Sequence, residues 1–426
     1  PEPEIIEKEV TREVMVEVTR EVEKEVEVQI EVEVTREVEK EVIVEVAPEP
    51  VAEIPFAELW VSSGHADVEA EAFAHWDEDD PPVVPTSCAK CHSEGGYLDF
   101  LGVDGTEAGV VDTEAAIGTV VSCIACHNEA TVVMDSVVFP SGVEVTGLGD
   151  EARCMQCHQG RASNASVAGA IEAAGVGDDE TSEDLRFINI HYYAAAATKY
   201  GGEVMGGYQY EGKVYDAMFA HPDGFDTCNE CHDPHTLELR FEECSTCHAG
   251  IDAETVKDVR MEGSLVDFDG DGDLEEGIYY EIVGLQDALY AAMQAYASEV
   301  LEAPIVYDAH AYPYFFADAD GNGQVDEGEG GFAAWSPRLL KAAYNYQVVA
   351  KDPGGYAHGG KYLIQLLYDS IEDLNADLVA GLRRIDHGHF AGSEEAFRHW
   401  DEEGEVPASC AKCHSADGLP LFLQEG

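Results

Sequence analysis

The chain has 426 residues, with 23 Lys and Arg against 87 Asp and Glu, for a formal charge of −64 at pH 7. A surface that acidic repels nucleic acid and an anionic membrane surface alike, which excludes nucleic-acid binding. Hydrophobic residues make up 45% of the chain, enough for a core, but no run approaches the roughly 18 to 20 apolar residues of a membrane-spanning helix.

Residues 1–50 differ in kind from the rest. From Lys8 to Val46 every even position is apolar or basic, as in Val14, Val16, Val18 and then Arg20, while the odd positions are mostly Glu. A period of two in β-branched residues is a strand pattern, so a long N-terminal β-strand extension is expected. Glu-Lys-Glu-Val recurs from Glu7, Glu23 and Glu39. So long a strand cannot satisfy its hydrogen bonds within its own subunit, and pairing with another copy of the chain is expected over a solvated spacer. Pro48, Pro50 and Pro55 then mark a linker.

All 12 cysteines fall into six copies of Cys-x-x-Cys-His. These are Cys88, Cys91 and His92; Cys123, Cys126 and His127; Cys154, Cys157 and His158; Cys228, Cys231 and His232; Cys244, Cys247 and His248; and Cys410, Cys413 and His414. Two thiols three residues apart with a His beside the second form the attachment pattern of c-type haem: each Cys makes a thioether to the porphyrin and the His reaches the iron from the proximal side. Six haems are expected. Structural zinc pairs its Cys and His differently. Such attachment takes place outside the cytoplasmic membrane, so the chain is expected to be exported, extracellular or at the cell surface, with no signal segment at Pro1.

Motif spacing suggests segments at 51–160 with motifs 1 to 3, 161–250 with motifs 4 and 5, 251–385 without attachment sites, and 386–426 with motif 6. The last module repeats 64–102: Gly64-His65, then Phe73-Ala74-His75-Trp76 and Ser87-Cys88, recur as Gly388-His389, Phe397-Arg398-His399-Trp400 and Ser409-Cys410. Segment 251–385 is expected to be helical and carries two acidic loops. Asp318, Asp320, Asn322, Gln324, Asp326 and Glu329 occupy the ligand positions of an EF-hand loop, with Gly323 at its turn. Asp267, Asp269, Asp271 and Asp273 begin the same way, but Ile278 stands where the bidentate Glu belongs, so that ligand must come from elsewhere. One or two Ca²⁺ are expected.

An iron held by one His keeps an open position, and a second His closes it, favouring electron transfer over substrate chemistry. Of the 16 His, ten lie outside the motifs, enough to cap six irons. The body resembles secreted multihaem c-type cytochromes through Trp60 to His65, Asn189-Ile190-His191-Tyr192, Cys231-His232-Asp233-Pro234-His235 and His358 ahead of Tyr362. That resemblance implies distal ligands at His65, His191, His235 and His358. His221, shortly before Cys228, and His389, the repeat partner of His65, complete the set, with His75 and His399 as alternates.

The expected fold is a multihaem cytochrome c, haem-packed, of mostly short helices and irregular loops. The resemblance extends to extracellular cytochromes that polymerise into conducting nanowire filaments. The function expected is extracellular electron transfer by a bis-His hexahaem carrier, polymerised head to tail, serving other cytochromes or an extracellular acceptor. Two alternatives are a monomeric periplasmic or cell-surface electron shuttle and a multihaem reductase of a small nitrogen or sulfur oxyanion. All six motifs keep His, and the acidic surface would repel an anion, so no catalytic residue is expected.

Overall fold

The computed structural model describes residues 54–218, 221, 225–245, 247, 248, 250–260, 264, 266–385, 404 and 406. The N-terminal strand extension, the sixth motif with Cys410, Cys413 and His414, and His387, His389 and His399 lie outside the described residues.

From Pro55 to Val204 regular structure is mostly short. Helices α1 (Thr86–His92), α2 (Glu94–Phe100), α3 (Ala152–His158), α4 (Asn164–Ala174) and α5 (Ala195–Val204) alternate with loops and a small antiparallel pair, β1 (Ser136–Val138) with β2 (Glu144–Thr146). The motifs themselves nucleate helix. A Cys-x-x-Cys spacing puts both thiols on one side of a single turn, and the motif His closes both α1 and α3. Motifs 2 and 4 form isolated turns, Cys123–Cys126 and Cys228–Cys231. The latter starts on a capping box in which Thr227 and Glu230 each bond the other's backbone N–H.

Three long helices follow: α6 (Ile278–Glu299), α7 (Pro337–Ala350) and α8 (Gly355–Leu374). Between α6 and α7 lies a second antiparallel pair, β3 (Ile305–Tyr307) with β4 (Phe315–Ala317). Helix α7 begins where Ser336 Oγ accepts the Leu339 N–H and Pro337 supplies a preset φ in the first turn. Leu285, Leu289 and Met293 of α6, Leu340 and Tyr344 of α7, and Leu363 and Leu367 of α8 recur at helical spacing and are at most 1% exposed. This bundle builds its core from its own side chains, whereas motif density along the chain suggests a core supplied largely by porphyrin. The difference arises because no attachment site interrupts residues 249–409, which leaves room for uninterrupted 3.6-residue periodicity.

Several buried polar groups inside the bundle are matched. Asn345 donates to Ser370 Oγ and to the Tyr208 carbonyl, both at 3.0 Å, and accepts the Tyr208 N–H at 2.7 Å. Asp369 receives Arg384 through Nε and Nη2, each at 2.7 Å. Helix α5 packs against α8, and this close approach depends on Gly359. A Cβ there would overlap the Thr198 carbonyl oxygen. Among the described residues no helix is long and apolar enough to cross a membrane.

Candidate functional site

Four of the five described motif histidines have a second histidine ring beside them. His92 faces His191 with Nε2 to Nε2 at 3.4 Å and ring centres 5.7 Å apart. Ring centres are 6.4 Å apart for His127 and His235, 6.3 Å for His158 and His65, and 6.4 Å for His232 and His358. His248 lies close enough to His221 to disfavour its protonation. A first-row metal ion takes an imidazole nitrogen at about 2 Å, so two on opposite sides stand about 4 Å apart and their ring centres about 6 Å apart. The pairs fit an iron held from both faces.

Second contacts fix the tautomers. Nδ1–H of His92 donates to the Ala72 carbonyl at 2.7 Å, that of His158 to Tyr193 at 3.0 Å and that of His232 to Leu237 at 3.2 Å. Each Nε2 lone pair is therefore left for a metal. Burial, reinforced by His158, holds His65 down to about 4. His191 is likewise held down to about 4, by burial and then by Arg161, His92 and Lys351. Both are neutral bases near pH 7, the form that coordinates. His191 occupies the left-handed region at φ 84°, where Asn189 Oδ1 accepts its N–H at 2.9 Å. Such backbone costs on the order of 1 to 3 kcal/mol and persists where the surroundings impose it.

The thiols order the motifs in space. Cys91 lies against Cys157, and Cys154 against Cys228. Cys126 is close enough to Cys154, and Cys231 to Cys244, to feel its charge. Motif 3 thus adjoins motifs 1, 2 and 4, and motif 5 follows motif 4. Glu151, 5% exposed and next to α3, accepts the Cys228 N–H at 3.2 Å, Tyr200 Oη at 2.9 Å and Lys199 Nζ at 2.7 Å, tying motif 3 to motif 4.

His75 sits on the surface with Nδ1 2.7 Å from Glu71, and His310 is also exposed. In the first acidic loop Asp318, Asp320 and Glu329 converge. Asp318 accepts the N–H groups of Asn322 and Gly323, each at 3.0 Å, and Asn322 Nδ2 donates to Asp326 at 2.6 Å. In the second, Asp267, Asp269 and Asp271 converge, and Asp269 also meets Glu276 and the buried Glu281. Burial first, then neighbouring carboxylates, pushes Glu276 up to about 7 and Asp269 up to about 6. Motif reading misses Glu276 and Glu281 because α6 begins at Ile278, so Glu281 reaches back from a helix. It also misses Asp352, which holds His358 Nδ1 at 2.9 Å. An acidic residue just before a turn of Pro353, Gly354 and Gly355 was the available signal.

Residues 71–159, spanning the first three motifs, match the family model of cytochrome c7 and related cytochrome c. The chain is 28% identical to C-type polyheme cytochrome OmcC of Geobacter sulfurreducens, over 76% of this chain and 47% of that protein. It is 27% identical to C-type polyheme cytochrome OmcB of the same species, over 74% and 48%. The chain thus spans about half the length of these relatives. No solved structure matches it.

Proposed function

We propose that this chain is an electron carrier in which c-type haems, attached through the Cys-x-x-Cys-His motifs, are each closed on both faces by histidine. The pairing of four described motif histidines, His92, His127, His158 and His232, with a second histidine carries this reading. The similarity to polyhaem c-type cytochromes supports it. When bound, the haem supplies one-electron chemistry; the chain's own residues hold it, fix the ring tautomers and deny substrate access to the metal. Haem 6 is assigned to Cys410, Cys413 and His414, with His389 or His399 opposite.

The thiol neighbourhoods support a row of motifs 1, 3, 4 and 5 with motif 2 beside motif 3. Such a row suits relay between a donor and an extracellular or cell-surface acceptor. Self-association of residues 1–46 by strand pairing belongs to the same proposal. The test is a haem count with carbon monoxide titration of the reduced protein, plus light scattering with and without residues 1–46. Expected are six haems, no carbon monoxide band, and polymers only when 1–46 is present. Carbon monoxide uptake by the unmodified chain would replace the carrier by an enzyme, and unchanged size after the deletion would remove the strand pairing.

Calcium at the two acidic loops is also proposed. Carboxylates this crowded repel one another, and a divalent ion converts the repulsion into a cross-link between loop and bundle. An ion present at about a hundred times its Kd stabilises a fold by about 2.7 kcal/mol. Chelation should therefore lower the melting temperature by several degrees, and the double variant Asp318→Asn, Glu329→Gln should blunt that response. A melt indifferent to chelator and calcium would overturn the proposal.

A further inference from the structure

Two consecutive buried residues of opposite charge close α7. Lys351 is 6% exposed and Asp352 4%, and they point to different histidine pairs. The Lys351 ammonium lies 3.8 Å from the Tyr192 ring centre and 4.3 Å from that of Tyr314. Tyr192 follows His191, so this cation joins Arg161 in facing the His92/His191 pair. Asp352 places both carboxylate oxygens 2.9 Å from Nδ1 of His358, the partner of His232. The carboxylate is fixed in turn by the Gly354 N–H at 3.2 Å.

The contrast with the other pairs is chemical. His92, His158 and His232 donate Nδ1–H to backbone carbonyls, whereas His358 donates to a full negative charge. A carboxylate on the far nitrogen draws the proton toward itself and makes the imidazole a stronger donor to metal, which favours ferric over ferrous iron. A buried cation near a ligand does the reverse, because adding an electron beside it costs less.

We propose that Lys351 and Asp352 set a potential difference along the row, holding the haem of Cys228 and Cys231 at the low end and that of Cys88 and Cys91 at the high end. The proposal rests on the reading that each pair holds an iron. With haem bound, His232 and His358 would hold the reduced iron that gives up one electron and His92 and His191 the oxidised iron that takes it, with motif 3 between them. Asp352 keeps its charge and Nδ1 of His358 its proton throughout, so no proton moves with the electron. The chain is thereby a carrier with a preferred direction.

The experiment is a spectroelectrochemical titration of the fully haem-loaded chain and its variants. Asp352→Asn should raise the lowest midpoint by about 59 mV, a tenfold change in the ratio of reduced to oxidised iron, and Asp352→Glu should restore most of it. Lys351→Met should lower the highest midpoint and leave the lowest in place. Should Asp352→Asn fail to load haem, Asp352→Ser, which also removes the charge, should shift the lowest midpoint in the same upward direction. Unmoved midpoints in loaded variants, or a shift at the wrong end of the series, would overturn the proposal. His358→Ala separates this from failure of the ligation reading. An iron newly open to carbon monoxide there, with midpoints indifferent to residue 352, refutes only the tuning; no newly open iron refutes the ligation beneath it.

Discussion

Replacing His65 by Ala should open the iron of motif 3, not that of motif 1, although motif 1 is the nearer in sequence. His65 precedes Cys88 in one module, and proximity along the chain argues that it caps the haem attached there. The fold places its ring 6.3 Å from His158 instead, while His92 takes His191. Removing one of two axial imidazoles leaves a five-coordinate iron that binds carbon monoxide when reduced, so uptake should rise from none to about one per chain. The same variant with Cys154→Ser and Cys157→Ser, which removes haem 3, should lose that uptake. With Cys88→Ser and Cys91→Ser it should keep it. The opposite pattern would return His65 to its own module and undo the spatial order drawn from the pairs.

Trp335→Ala is expected to have the largest effect on stability. Trp335 is 2% exposed, donates Nε1–H to the Phe332 carbonyl at 2.8 Å, and has the rings of Phe332, Phe315 and Phe187 at 5.0, 5.7 and 5.9 Å. Truncating a buried Trp costs about 3 to 5 kcal/mol through lost transfer energy and the cavity left behind. Trp335→Phe should cost much less. The bundle carries Asp352 and His358 at the junction of α7 and α8, so its loosening should reach the His232/His358 pair first. On mild heating the Ala variant should bind carbon monoxide at one haem before the others, with loss of near-ultraviolet dichroism. Equal melting of Trp335→Ala and the unmodified chain would show that the bundle does not limit stability.

The repeat of residues 64–102 at 386–426 gains meaning from the placement of His65 beside His158. Because His65 turns to a later motif, its copy His389 has no guaranteed role toward His414. The capping of haem 6 therefore needs its own measurement, for which His389→Ala and His399→Ala are the direct variants.

Candidate attachment sites and acidic loops are legible in the residues because the chemistry they would serve is local. Two thioethers and an adjacent ligand demand a fixed spacing within one helical turn, and a calcium loop is a single stretch of chain. Candidates for the second histidines were also within reach, since few histidines lie outside the motifs. Their partners were not: His92 and His191 are 99 residues apart, and no local rule couples positions that the chain brings together only by folding. Nor does sequence order indicate that Asp352 turns toward one pair while Lys351 turns toward another. Which residues could hold an iron follows from side-chain chemistry, but which histidines stand opposite one another, and what charge stands behind each pair, is decided by how the folded chain brings distant segments together.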